Sequence, residues 1–359
     1  MLDTRTTPTS PPSFGGRQRP DGDLEDRIRS NPAAFRILTG DRPTGPLHVG
    51  HYFGTLENRV RLQRLGVELY VLIADYQTIT DRDAPVRLAD DVEGLVADYL
   101  AVGIDPATAV IFTHSKVAEL NQLLLPFLSL VSVAELSRNP TVKEEIATAG
   151  GSTSALMFTY PVHQAADILF CRANLVPVGK DQLPHLELAR TIARRFNERY
   201  SRERPYFAQP EALLSRAPLL LGLDGRKMGK SRGNSIPLAA GEGQTVRLIR
   251  GARTDGDRRI TYEPKHRPEV SNLLQIAALC LERRPEEIAE EIGDRGAQAL
   301  KTLVSDALND HLRPIRARRA ELAGERGYLR SVLRDGNERA CEIAAKTLDA
   351  VHELMHTNY

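Results

Sequence analysis

Short apolar runs alternate with longer amphipathic segments through the first half of the chain. FRILTG (35–40), ELYVLIADY (68–76) and AVIFTHS (109–115) are near-continuous apolar stretches of strand length, the pattern of strands covered on both faces. Between them, HVGHYFGTLENRVRLQRLG and VRLADDVEGLVADYLAVG carry apolar residues at helical spacing. A helical stretch from Ala118 to about Cys171 precedes LVPVGKDQ, which reads as a further strand and turn. LLLGL is the last strand-like run, and beyond LLLGLDGRKMGKSRGN only helical periodicity remains.

This βαβαβ rhythm predicts an α/β fold, a Rossmann-type doubly wound parallel sheet followed by an all-helical C-terminal domain. The expected division is a flexible tail over 1–33, a sheet domain over 34–232 with a helical insertion at about 118–171, and a helical domain over 233–359 whose last helix packs back on the sheet domain. The tail expectation rests on the Pro, Gly, Ser and Thr content of residues 1–33 and their scarcity of apolar side chains.

Composition narrows the function only slightly. The chain has 359 residues and a formal net charge of +1, so a polyanion would have to be met by a local basic patch. Its three cysteines form no CxxC pair, which points to a reducing cytoplasm and away from a disulfide framework or zinc site. No apolar run reaches the length of a membrane span.

Three short stretches carry candidate chemistry. TGDRPTGPLHVGHYFG (39–54) sets His48 and His51 at a strand-to-helix turn, where free amides and the helix dipole favour anions. HVGH lacks a third ligand nearby and the glutamate of HExxH, so hydrogen bonds to phosphate fit better than a metal. KMGKS (227–231) puts two lysines on a Gly-rich loop, suited to charge developing on a transferring group. GKDQ (179–182) ends a strand with a carboxylate suited to ribose hydroxyls. Each also has a plain reading, as helix start, solvated loop or turn.

Taken together and in this order, the three resemble the class I aminoacyl-tRNA synthetases, with HVGH matching the family's HIGH motif and KMGKS its KMSKS loop. TYPVHQAADIL followed by LVPVGKDQLPHLELARTIARRFN is similar to the tryptophan-specific branch. The resemblance implies ATP with Mg2+ carried by the nucleotide, L-tryptophan and tRNA(Trp) as substrates, a cytoplasmic homodimer with its interface near Glu119 to Glu145, and an anticodon-binding role for the helical domain. It implies that His48, His51, Lys227 and Lys230 serve catalysis. Arg42, Pro43, Thr44, Gly50, Gly179, Lys180, Asp181, Leu219, Met228, Gly229 and Ser231 would complete the ATP site. Gly40, Tyr160, Gln164, Asp167 and Gln182 would hold tryptophan, with Asp167 accepting the indole N–H.

Several positions depart from the family pattern: Gly229 for a serine, Arg42 for glutamine, Gln164 for methionine, and no lysine shortly before Tyr160. These departures imply a divergent, auxiliary isoform with altered sensitivity to indole-containing inhibitors. Arg247, Arg250, Arg253, Arg258 and Arg259, with Arg313, Arg316, Arg318 and Arg319, are the basic residues available for tRNA phosphates. The competing readings are the sister enzyme for tyrosine and a non-catalytic paralogue that binds tryptophan or RNA.

Overall fold

Alternation along each strand decides which half of the core a side chain joins. Ile37, Leu69, Val71, Ile73 and Ile111 enter one apolar cluster, while Leu38, Tyr70, Leu72, Val110 and Phe112 enter another, because successive strand residues face opposite sides of a sheet. The computed structural model describes residues 21–80, 87–148, 154–179, 182–214 and 219–359. Within them, β1 (Arg36–Asp41), β2 (Glu68–Ile73), β3 (Ala109–Thr113), β4 (Leu175–Val178) and β5 (Glu211–Leu214) form one parallel sheet in the order β3-β2-β1-β4-β5.

Helices cover both faces. Leu88–Ala101, Pro268–Leu281 and Gly296–Ala323 supply the first cluster, and Ala155–Phe170 and Leu183–Tyr200 the second. The last helix, Arg326–Leu354, straddles the sheet edge, with Leu329 and Val332 in the first cluster and Ala340, Ala344 and Leu348 in the second. It therefore caps edge strand β3, whose unpaired backbone would otherwise be open. Asn337 Oδ1 accepts from the Thr113 N–H at 2.9 Å, and Arg339 donates to the Ala109 carbonyl at 3.1 Å.

The close approach depends on Gly336. A Cβ there would lie 1.9 Å from the Ile111 carbonyl oxygen, which is backbone and cannot turn aside. Gly336→Ala is expected to destabilise the protein by at least about 1–3 kcal/mol, the cost of overpacking. Gly327 of the same helix meets nothing within 4 Å. Denaturant unfolding of the two alanine variants side by side should place the whole loss at position 336.

Two expectations are corrected. Residues 21–30 are not tail: Asp21–Ser30 is a helix whose Leu24 and Ile28 are buried in the first cluster. Arg27 ties it to Glu211 of β5 at 2.9 Å, and Glu25 pairs with Arg61. Two apolar residues one turn apart are too weak a pattern to stand out from a polar segment, and only the waiting core makes them sufficient. Residues 1–20 lie outside the described residues. The run LLLGL forms no named strand, only an isolated bridge from Leu221 to Lys227, while EALL supplies β5. β5 is half-buried along its length, so its apolar pattern is faint. No described helix is long and apolar enough to cross a membrane.

Candidate active site

In the order β3-β2-β1-β4-β5, successive crossovers run to opposite sides on either side of β1, so the loops after β1 and β4 diverge and open a crevice at their carboxyl ends. The loop after β1 runs through Arg42 to Leu47 and enters the turn Val49–His51, a π turn Tyr52–Leu56 and the helix Glu57–Leu65. The π turn widens the helix immediately after the two histidines, a common device at sites.

His48 and His51 lie with ring centroids 3.7 Å apart, tilted by 40°. His51 Nδ1 accepts from the His48 backbone N–H at 3.2 Å, so its own proton is on Nε2, free to donate outward. Burial first, then neighbouring His51 and Lys230, lowers the His48 pKa to about 3. Burial also lowers His51, to about 4, with Lys230 and Arg59 adding to the effect and Asp41 opposing it. Both imidazoles are therefore neutral donors near pH 7. Beneath them, Asp41 Oδ2 accepts from Arg59 at 2.6 Å and from the Tyr99 hydroxyl at 2.8 Å. Burial alone would raise the Asp41 pKa, but Arg59, His51 and these bonds bring it to about 2.

KMGKS folds against the same turn. Lys230 Nζ donates to the Gly45 carbonyl at 2.9 Å and the Arg42 carbonyl at 3.2 Å, and burial lowers its pKa. Met228 is buried, and its Sδ would stand 3.2 Å from a Cβ on Gly50, with His48 Cε1 at 3.1 Å. The two motifs thus meet across a residue that has no side chain to spare room for. The segment after the loop continues the contact: Val49 N–H donates to the Ile236 carbonyl at 3.0 Å and Leu238 N–H to the Leu47 carbonyl at 2.9 Å. Lys227 is exposed, and Ser231 lies in the turn Lys230–Arg232.

Gly229, which stands where the resembled family has serine, is extended at φ −160° and ψ 144°. A Cβ there would come no closer than 3.7 Å to Arg232. Nothing in this backbone demands glycine, so Gly229→Ser should change stability by less than ~0.5 kcal/mol, the range of unconstrained surface positions. Thermal unfolding of the variant checks this.

Around the crevice, Gly40 is exposed at the end of β1, and a Cβ on it would stand 2.5 Å from the Leu72 carbonyl oxygen. Arg42 and Thr44 are exposed, Pro43 is buried, and Arg42 donates to the Gln77 carbonyl at 3.2 Å. Gly179 is exposed after β4, and Gln182 is half-buried at the start of Leu183–Tyr200. Leu219 is exposed. Lys180 and Asp181, expected at the ribose, lie outside the described residues, as do residues 149–153 within the segment 146–158 that lacks the family's lysine.

Tyr160, Gln164 and Asp167 share the helix Ala155–Phe170, and the first two are half-buried. Tyr160 hydroxyl lies 3.1 Å from His185 Nε2. Asp167, 1% exposed, already has a protein partner, His114 Nε2 at 2.9 Å. His163 lies beside it, with Nε2 2.7 Å from Asn121 Oδ1. Among the described residues, His114, His163 and Asp167 place potential ligand atoms within 4.8 Å of one another. Both Nε2 atoms are taken up by hydrogen bonds, that of His114 to Asp167 and that of His163 to Asn121.

Sequence reasoning missed His114, His163, Asn121 and the Arg59–Asp41–Tyr99 group. His114 was visible only as the polar residue ending the apolar run of β3. Of the arginines expected to form a basic patch, Arg313 pairs with Glu242 and Asp310, Arg318 with Glu321, and Arg259 with Asp294. Arg319 instead reaches inward to Asp98 at 2.5 Å, whose other oxygen accepts the Leu47 N–H at 3.2 Å. That carboxylate links a C-terminal helix to the histidine turn.

Comparisons with known proteins follow this geometry. The family model of tRNA synthetases class I (W and Y) matches residues 30–313. The tryptophan–tRNA ligase of Streptococcus agalactiae is 40% identical over 339 residues, covering 90% of this chain and 98% of its own length. That of Clostridium longisporum is 38% identical over 336 residues, covering 90% and 97%. The crystal structure of tryptophanyl-tRNA synthetase from Campylobacter jejuni complexed with ADP and tryptophan superposes with a TM-score of 0.78 at 29% identity, over 90% of this chain and 100% of that one.

Proposed function

We propose that this chain, which belongs to the tRNA synthetases class I (W and Y), activates L-tryptophan with ATP and transfers it to tRNA(Trp). The observation that carries the reading is the meeting of HVGH and KMGKS at Gly50, beside the crevice where the sheet order reverses. That two loops far apart in sequence, each rich in donors suited to phosphate, lie together supports the reading.

In the first step, a tryptophan carboxylate oxygen attacks the α-phosphorus of ATP. A new P–O bond forms, the bond to the bridging oxygen breaks, and pyrophosphate leaves with its electron pair. The nucleophile is already an anion, so no side-chain base is needed, and positioning with charge stabilisation carries the catalysis. His48 and His51 act as neutral donors to phosphate oxygens. Lys230 and Lys227 offset the charge gathering on the leaving pyrophosphate. Gly50 and Met228 keep the two loops in contact, with Arg42, Pro43, Thr44, Gly229, Ser231 and Leu219 along the nucleotide and Gly179, Lys180 and Asp181 at the ribose. ATP brings its own Mg2+. In the second step, a hydroxyl at the 3′ end of tRNA(Trp) attacks the acyl carbon, an ester forms and AMP leaves.

The amino acid sits against Gly40, Tyr160, Gln164, Asp167 and Gln182, where an acceptor for the indole N–H excludes side chains that cannot supply one. The helices of 233–359 take the anticodon part of the tRNA, and the protein works in the cytoplasm as a homodimer. Leu125 and Val133, both exposed in the segment 119–145, support that surface as the interface. ATP–pyrophosphate exchange with tryptophan and with tyrosine, followed by charging of tRNA(Trp), tests the reading. Exchange with tyrosine alone, or no exchange with either, would overturn it.

A further inference from the structure

We propose that His114 is a positioning residue that sets amino-acid specificity: by donating from Nε2 to Asp167 Oδ1 it orients the carboxylate so that Oδ2 is the oxygen offered to the substrate's indole N–H. The inference rests on Asp167 being the indole acceptor, as argued above.

The bond is 2.9 Å long, and both side chains are at most 2% exposed. A carboxylate at such depth is rarely left without a partner. The Nε2–H donor occupies Oδ1 and leaves Oδ2 as the open acceptor. The tautomer follows from the surroundings: among the described residues, His114 Nδ1 is buried without a partner, so the proton of a neutral ring belongs on Nε2, towards Asp167.

The imidazole is held from several sides. Asn121 Nδ2 donates to the His114 carbonyl at 3.0 Å and to the Val117 carbonyl at 2.9 Å, while its Oδ1 meets His163 Nε2. The Tyr76 ring is stacked over His114 at 6.1 Å and 24°, and His163 packs 4.6 Å away. Asp75 Oδ1 accepts from the Tyr76 N–H at 3.0 Å and the Ser115 N–H at 3.2 Å, fixing the backbone on either side. β2, β3 and two helices of the insertion thus converge on one ring, more support than a core histidine requires.

The test compares L-tryptophan with its analogue in which sulfur replaces the indole N–H, in pyrophosphate exchange by wild type, His114→Leu, His114→Gln, His114→Asn and Asp167→Asn. His114→Leu should raise the KM for tryptophan roughly tenfold or more and reduce discrimination against the analogue by a similar factor, the scale of one lost hydrogen bond to a charged group. The KM for ATP should stay within about threefold, which also reports that the variant is folded. His114→Gln, whose amide nitrogen reaches the place of Nε2, should restore discrimination, whereas the shorter His114→Asn should not. Equal discrimination by the glutamine and asparagine variants, or wild-type discrimination by His114→Leu, overturns the proposal. Wild-type discrimination by Asp167→Asn would instead overturn the assignment of Asp167 itself.

Discussion

Replacing His51 by alanine is expected to slow tryptophan-dependent pyrophosphate exchange by about 10²–10³-fold, the usual loss for one preorganised donor to developing charge, while tryptophan affinity changes by less than about threefold. The ring sits 3.7 Å from His48 with Nδ1 occupied, so Nε2–H is the atom it offers a phosphate. Alanine removes that donor together with the acceptor of the His48 N–H, so thermal unfolding of the variant is measured alongside. The pH profile separates this role from acid–base work. With pKa values of about 3 and 4, His48 and His51 of the free protein are neutral throughout pH 6–8. At saturating tryptophan, kcat/KM for ATP reports the ionisations of the tryptophan-bound enzyme before the nucleotide binds and should be flat across that range. A step near the ordinary histidine pKa that vanishes in His51→Ala would refute the neutral-donor role.

The second large effect is on stability. Arg59 is 2% exposed and donates to Asp41 at 2.6 Å, with Tyr99 on the same oxygen. Arg59→Met keeps the apolar stem but leaves Asp41 without its cation, which should cost about 3–5 kcal/mol, the penalty for breaking a buried pair from one side. The pH dependence has a definite sign. Asp41 has a folded pKa of about 2 against an ordinary 3.8. Its depressed value contributes about 2 kcal/mol of stability that is fully present above the unfolded pKa and is lost as pH falls towards 2. In Arg59→Met that component should disappear or reverse, so the variant loses less stability than wild type between pH 5 and 3. Denaturant titrations at several pH values measure it, and a double variant with Asp41→Asn should recover part of the loss. An Arg59→Met protein as stable as wild type would show that the pair is not structural.

The first prediction rests on residues that could be read locally, the second on a buried group that could not. The strands β1 to β4 announced themselves because buried parallel strands are continuous apolar runs, a property of a few consecutive residues. HVGH and KMGKS were legible as candidates for a similar reason: glycines, lysines and histidines at fixed short spacing mark turns whose donors are suited to phosphate. Parallel sheet and helical C-terminal part were therefore determined by local pattern, and the two candidate phosphate loops were marked by it.

The rest required pairing at a distance. His114 and Asp167 are 53 residues apart, and Arg319 and Asp98 are 221 apart. Periodicity says that a side chain is buried but not which polar group will meet it there. The same holds for Asp21–Ser30, whose two buried residues form a helix face only once the core beside them exists, and for Gly336, which looks like a helix defect until β3 lies against it. Local sequence determined the elements and the kind of chemistry. Tertiary packing decided which charges are neutralised, which oxygen of Asp167 meets His114 and how tightly the last helix closes the sheet, because burial makes each of those choices costly to leave unmade.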